Sequence, residues 1–249
     1  MSLITTPAVV LHTFKYGETS KIARLATRDY GVQSAIAKGA LGRNSKFGAK
    51  LQVLSSGVAH MYVKRNRELN TLAEFEVTDQ HQALAHDVGR FTAATALAEL
   101  VMRCWPAEPN PHVFELVDRG LGVLESAPPE RVDVTGLELL WAAVAALGFA
   151  PTLDVCARDG GPLPPGKVAF SVAQGGFLCG RCARGVTRGK LDREDRVVLE
   201  MLVGGAVGSV GELNPKRSRA HKRLLARFVE RHVAEGSELR AMALWADLT

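Results

Sequence analysis

Aromatic residues are scarce in this chain. Three Trp, three Tyr and nine Phe make up 6% of its 249 residues. Packing therefore falls to Leu, Val and Ala. An apolar content of 47% is enough to expect a folded core, and the length predicts two or three modules. Long apolar runs are also missing. The longest, Leu139 to Ala150, is too short to cross a bilayer and reads as a core helix rich in alanine. The N-terminus shows no basic region followed by an apolar segment, so a cytoplasmic protein is expected. G-x-S-x-G and H-E-x-x-H are absent, as is an acidic cluster for metal-assisted hydrolysis, so no enzyme is expected. The seven histidines are scattered, and His81 and His86, near a helix start, show no convincing partners. Gly161 to Val168 nearly spells a phosphate-binding loop. Val168 stands where Ser or Thr would hold magnesium, and three prolines remove amide donors.

Charge is present and unevenly spread. Residues 1–80 hold 11 Lys and Arg against 6 Asp and Glu; residues 81–150 hold 4 against 9; residues 151–249 hold 16 against 11. Two basic ends flank an acidic middle. A basic field of this kind favours nucleic acid or an anionic membrane, and ordinary solvated surface charge is the alternative.

The first 80 residues alternate apolar and polar positions between turn signals. Strands are predicted at Pro7 to Phe14, Ser20 to Thr27, Val32 to Ala37, Val53 to Val63 and Leu69 to Val77. Short connections suggest an antiparallel meander, and five strands in this length suit a closed barrel of the OB type. Between the third and fourth strands lies a loop rich in Gly and cations. Gly39, Gly42 and Gly48 permit close backbone approach to phosphates. Lys38, Arg43, Lys46 and Lys50 can neutralise them, and Asn44 and Ser45 add neutral donors. Lys64, Arg65 and Arg67 form a second cluster. Phe47 and Tyr62 are candidates for stacking on bases, with burial in the core as the alternative for both.

Residues 81–150 read as helices: Asp87 to Arg103, ended by Trp105-Pro106; His112 to Leu124; and Thr135 to Leu147 after Pro128-Pro129. Cys104 stands alone and reads as a small buried hydrophobe. The other cysteines cluster as Cys156-x-x-Asp159 and, after nineteen residues, Cys179-x-x-Cys182. Paired C-x-x-C knuckles supply four zinc ligands at tetrahedral geometry. Here Asp159 takes the place of one cysteine, and a carboxylate oxygen is a competent zinc ligand. The candidate set is Cys156, Asp159, Cys179 and Cys182, a closed and structural site. A metal-free relic and a redox pair at Cys179 and Cys182 are the alternatives.

Asp192 to Val203 is a further helix. A glycine-rich connection follows, and then Asn214-Pro215 reads as a helix start. Lys216, Arg219, Arg223 and Arg227 form one cationic stripe; Leu224, Leu225, Phe228 and Val229 form the buried face. Such a helix suits DNA, an acidic peptide or solvent alone.

Three stretches carry a family resemblance. The run from Val9 to Ile22, containing Lys15-Tyr16-Gly17-Glu18-Thr19, resembles the opening of RecO proteins. So does Ala35 to Ala40 with the basic stretch ending Ser45-Lys46-Phe47-Gly48. The order Phe170, Gly175-Gly176, Cys179, Cys182 is similar to that of RecO sequences with four cysteines. The resemblance implies an α+β protein: an OB domain over 1–80, a helical domain over 81–150 and 187–249, and a zinc-finger-like insert over 151–186. It implies a bacterial recombination mediator in DNA repair that binds single- and double-stranded DNA, anneals complementary strands and displaces single-strand-binding protein. It would work with RecR to promote RecA loading, associate with the nucleoid, and bind the acidic C-terminal tail of single-strand-binding protein. An RNA-binding OB protein, such as a ribosome-associated factor, is the rival reading.

Overall fold

A computed structural model of the chain describes residues 2–43, 45–63, 69–186 and 189–248. Backbone packing divides the chain into two units, residues 1–126 and 127–249.

The first unit opens with five strands: β1 (Ser2–Tyr16), β2 (Ser20–Thr27), β3 (Gly31–Ala37), β4 (Ser56–Val63) and β5 (Leu69–Asp79). They close into a barrel in the order β1-β2-β3-β5-β4. β1 is longer than its alternating pattern predicts because it serves two neighbours. Residues 2–9 pair with β4 and residues 8–16 pair with β2, with an irregularity between Val10 and His12. The expected meander is corrected at one seam: β3 and β5 run parallel, Ser34 opposite Leu69. β4 starts at Ser56 and not at Val53, because Leu54 has a φ of 73° that ends regular extension. The barrel interior is filled by small and branched residues, among them Ala8, Val10, Ala23, Leu25, Ala35, Met61 and Leu72. Gly31 turns into β3 at a φ of 63°, where a Cβ would lie 2.2 Å from the Pro106 carbonyl oxygen. Only glycine fits there.

Two helices complete this unit, α1 (Val88–Cys104) and α2 (Pro111–Ser126). Asp87 caps α1, its side chain accepting from the Arg90 N–H at 2.8 Å. Cys104, expected to be buried, is half-buried at the last helical residue.

The second unit contains α3 (Val132–Ala146), β6 (Val168–Ser171), β7 (Gly176–Leu178), β8 (Lys190–Leu191), α4 (Arg193–Gly204), α5 (Pro215–His232) and α6 (Arg240–Asp247). α3 starts three residues before the expected Thr135, directly after a 3-10 turn at Pro129–Arg131. Its core is aromatic despite the overall scarcity. Trp141 meets Phe228 at 5.3 Å between ring centroids, and Phe228 meets Phe170 at 6.1 Å. Glu138 is only 2% exposed. Its two oxygens accept from the Gly208 and Val210 N–H groups, each at 2.9 Å, which pins the glycine-rich connection before α5. Asn214 caps α5 as expected, with Pro215 at the first helical position. Among the described residues no helix is long and apolar enough to cross a membrane.

Candidate metal centre and nucleic-acid interface

The sequence around Cys156 and Cys179 folds into two matching turns. The Gly160 N–H donates to the Cys156 carbonyl at 2.8 Å, and the Ala183 N–H donates to the Cys179 carbonyl at 2.9 Å. Each turn therefore presents its first and fourth residues together: Cys156 with Asp159, and Cys179 with Cys182. The hairpin of β6 and β7, with Ala169 opposite Leu178, carries the second turn back to the first. Gly176 makes this possible, since a Cβ there would lie 2.1 Å from the Thr152 oxygen.

The four donor atoms lie within 4.8 Å of one another, close enough to hold one metal ion. Asp159 Oδ2 is 3.1 Å from Cys182 Sγ and 3.6 Å from Cys179 Sγ. Zinc bonds of about 2.0–2.3 Å imply tetrahedral edges of roughly 3.3–3.8 Å; the 3.6 Å separation matches them and the 3.1 Å separation is slightly shorter. Leu178, Leu163 and Val186 pack around the cysteines.

Electrostatics at the site are dominated by Asp159. Its carboxyl is held well below the usual carboxylate range, first by Arg181, then by the thiols of Cys156 and Cys182 and the Gly161 N–H. The Cys182 thiol is pushed up to about 12 by its hydrogen bond to Asp159, then by burial and the neighbouring thiols. Burial pushes the Cys156 thiol up, yet its value falls because the N–H groups of Cys179, Arg158 and Asp159 stabilise the thiolate. Arg181 was not legible as part of this site; its one signal was a cation between the two cysteines of the second knuckle.

The basic loop follows β3. Ala40, Phe47 and Leu51 are buried in the barrel core and anchor it. The Leu41 N–H donates to Thr19 at 2.8 Å, tying the loop to the β1–β2 turn. Phe47 is 1% exposed, so it is a core residue and not a stacking surface; Tyr62, at 38%, stays accessible. Lys38, Arg43, Lys46 and Lys50 are all exposed. None of the four forms an ion pair with a described residue. Ser45 Oγ accepts from the Phe47 and Gly48 N–H groups at 3.1 and 3.3 Å, so it shapes the loop. Asn44, Lys64, Arg65 and Arg67 lie outside the described residues.

A second basic and aromatic surface on the same unit was missed. His12, Phe14, Ile22, Arg24, Leu69 and Arg103 line a cleft of about 640 Å³. Phe14 is 45% exposed and its ring lies 6.1 Å from that of His12. The spacing of His12, Phe14 and Tyr16, every second residue on one strand, was the available signal.

On α5, Leu225, Phe228 and Val229 are buried as expected, whereas Leu224 is half-buried. Leu224 lines a cavity of about 750 Å³ with Phe170, Leu191, Lys190, Arg223 and Arg227. Lys216 and Arg219 continue the cationic wall into a smaller cleft of about 380 Å³. Arg223 is already engaged, donating to Asp247 at 3.1 Å.

A closed OB-type barrel with a basic loop anchored in it, followed by helices and a cysteine-rich knuckle pair, defines an α+β protein of the OB-barrel class. The comparisons with known proteins make this specific. The model described as Recombination protein O N terminal matches residues 1–81, and Recombination protein O C terminal matches residues 85–240. DNA repair protein RecO of Anaeromyxobacter dehalogenans strain 2CP-C is 32% identical over 241 residues, covering 94% of this chain and 92% of that protein. DNA repair protein RecO of Rubrobacter xylanophilus is 34% identical over 182 residues, covering 73% and 72%. The Cutibacterium acnes RecO is 31% identical over 246 residues, covering 95% and 96%. The chain belongs to the RecO family of DNA repair proteins.

Proposed function

We propose that this protein is a non-enzymatic recombination mediator. The carrying observation is the loop after β3, where four exposed cations form no ion pair with a described residue and the backbone is pinned by Phe47 and Leu51. Such charges remain free to displace counterions from phosphate. With Lys64, Arg65 and Arg67 they bind single- and double-stranded DNA. Phe14 and Tyr16 offer rings on which unpaired bases stack, and Arg24 and Arg103 flank them. Bound strands are annealed, single-strand-binding protein is displaced, and with RecR the protein promotes RecA loading.

The cavity beside α5 accepts the acidic C-terminal tail of single-strand-binding protein. Its cations suit carboxylates, and Phe170, Leu191 and Leu224 suit an apolar side chain. Cys156, Asp159, Cys179 and Cys182 hold a structural zinc ion that ties the two knuckles together. The four-part division at residues 80, 150 and 186 belongs to the same reading, as does a cytoplasmic, nucleoid-associated location.

Affinity for matched single-stranded DNA and RNA oligonucleotides, measured across salt concentrations, tests this. About five neutralised phosphates predict a log–log slope near −3.5. A slope near zero contradicts the electrostatic account. Tight RNA binding with little affinity for DNA contradicts the choice of ligand, since only RNA offers the 2′-OH.

A further inference from the structure

We propose that Asp79, His81 and Glu125 form a second metal site, in the first unit, for a divalent first-row transition ion. The sequence left His81 without partners because Glu125 and Ser56 lie 44 and 25 residues away in the chain. In the fold it is 6% exposed and faces two carboxylates.

Hydrogen-bond accounting carries the argument. Ser56 Oγ lies 2.6 Å from Asp118 Oδ1, and an ionised carboxylate only accepts, so the serine hydroxyl donates to Asp118. Ser56 Oγ must then accept from His81 Nε2, 3.1 Å away. The proton of a neutral imidazole is thereby placed on Nε2. Nδ1 is left as a lone pair, and it points at two acceptors: Glu125 Oε2 at 3.0 Å and Asp79 Oδ2 at 3.6 Å. Three electron-rich atoms converge, and a cation between them resolves the conflict. A proton on Nδ1 would serve the nearer carboxylate, but 3.6 Å is too long for a hydrogen bond to the second. A metal ion serves all three. Bonds of about 2.0–2.2 Å to nitrogen and oxygen place neighbouring donors roughly 2.8–3.1 Å apart in an octahedron and roughly 3.3–3.6 Å apart in a tetrahedron, the span in which the 3.0 and 3.6 Å separations fall.

Each ligand is also oriented from outside. Glu125 Oε1 accepts from the Ala83 N–H at 2.9 Å, which leaves Oε2 for the site. Asp79 Oδ1 accepts from the His81 N–H at 2.8 Å, which leaves Oδ2. His81 is oriented through Ser56 and Asp118. Partners that fix ligand rotamer and imidazole tautomer are the usual surroundings of a metal-binding histidine. His81 further lines a cleft of about 230 Å³ with Gln52, Gln80 and Gln82, from which water completes the coordination shell. The bound ion would join the end of β5 to α2.

Cobalt titration of the metal-stripped full-length protein tests the proposal. Cobalt on thiolates gives an intense near-ultraviolet charge-transfer band; cobalt on nitrogen and oxygen gives only weak visible bands. Two equivalents are expected, one with the charge-transfer band and one without. Asp79→Asn and Glu125→Gln should each weaken the band-free equivalent by more than about tenfold and leave the thiolate equivalent intact. In the wild-type protein, Mn²⁺ should broaden the amide signals of Ser56, His81 and Ala83. A single, thiolate-bound equivalent overturns the proposal. So does a second equivalent that both variants retain, or manganese broadening centred elsewhere.

Discussion

Arg181 Nη2 lies 2.7 Å from Asp159 Oδ2, so the residue that departs from a four-cysteine pattern has its own counter-charge. The pair holds the Asp159 carboxyl well below the usual carboxylate range, so the group is a carboxylate at neutral pH. Asp159 can therefore donate to a metal without losing a proton. The protons must come from the thiols, and Cys182, pushed up to about 12, surrenders one whenever a metal binds.

Zinc affinity should accordingly rise with pH. Competition with a chromophoric chelator at pH 6.5, 7.5 and 8.5 should show steadily tighter binding. Asp159→Cys should tighten it further, and Asp159→Ala should weaken it. Stripping the metal with chelator should lower the melting temperature of the wild-type protein. Equal affinity in Asp159→Ala and wild type would remove the carboxylate from the ligand set.

The loop cations make a separate prediction. Replacing Lys38, Arg43 and Lys46 together with Ala removes three exposed charges that form no ion pair with a described residue. DNA affinity should fall, and the salt slope should flatten by about two units. The melting temperature should stay unchanged. Filter binding across salt, paired with calorimetry, reads both.

Lys222 is buried, with 2% of its side chain exposed. It pairs with Asp133, and its ammonium sits 5.3 Å from the Trp245 ring. The Ser218 hydroxyl also donates to Asp133, at 2.8 Å. Removing Asp133 strands the buried Lys222 ammonium. Asp133→Ala should cost about 3–5 kcal/mol in urea unfolding, whereas Lys222→Met combined with Asp133→Leu should cost far less. Similar losses in the single and double variants would show that the pair is not the source.

His221 gives a pH dependence. It is 2% exposed, Asp195 lies 3.5 Å from its Nε2, and burial lowers its value from 6.5 despite that carboxylate. As pH falls below 6.5 the unfolded chain takes up the proton before the folded one does. Stability held above pH 6.5 is thus lost on acidification, by at most about 1.4 kcal/mol per pH unit. His221→Leu should flatten the stability profile between pH 7.5 and 5.5.

What the sequence revealed followed from how local each signal was. β2 lies at Ser20–Thr27, as the alternation predicts, and α5 begins at the Asn214-Pro215 signal. Both depend on neighbours within a few residues. The parallel seam between β3 and β5 depends on barrel closure, which no short window contains. Ser2 to Thr5 joins β1 although largely exposed, because β4 supplies its hydrogen bonds. α6 passed unread, being eight residues long and packed on α5. At the knuckles, spacing brought four candidate ligands into view, but Arg181 and its contact with Asp159 emerged only from the fold. Phe47 read as core before base platform, and its burial agrees.

The most direct test begins with complementary DNA strands coated with single-strand-binding protein. This protein is added without ATP, and duplex formation is followed in time. The mediator account predicts annealing through the coat, slowed when Lys38, Arg43 and Lys46 are Ala. Failure to anneal coated strands, by protein that binds bare DNA normally, would contradict it.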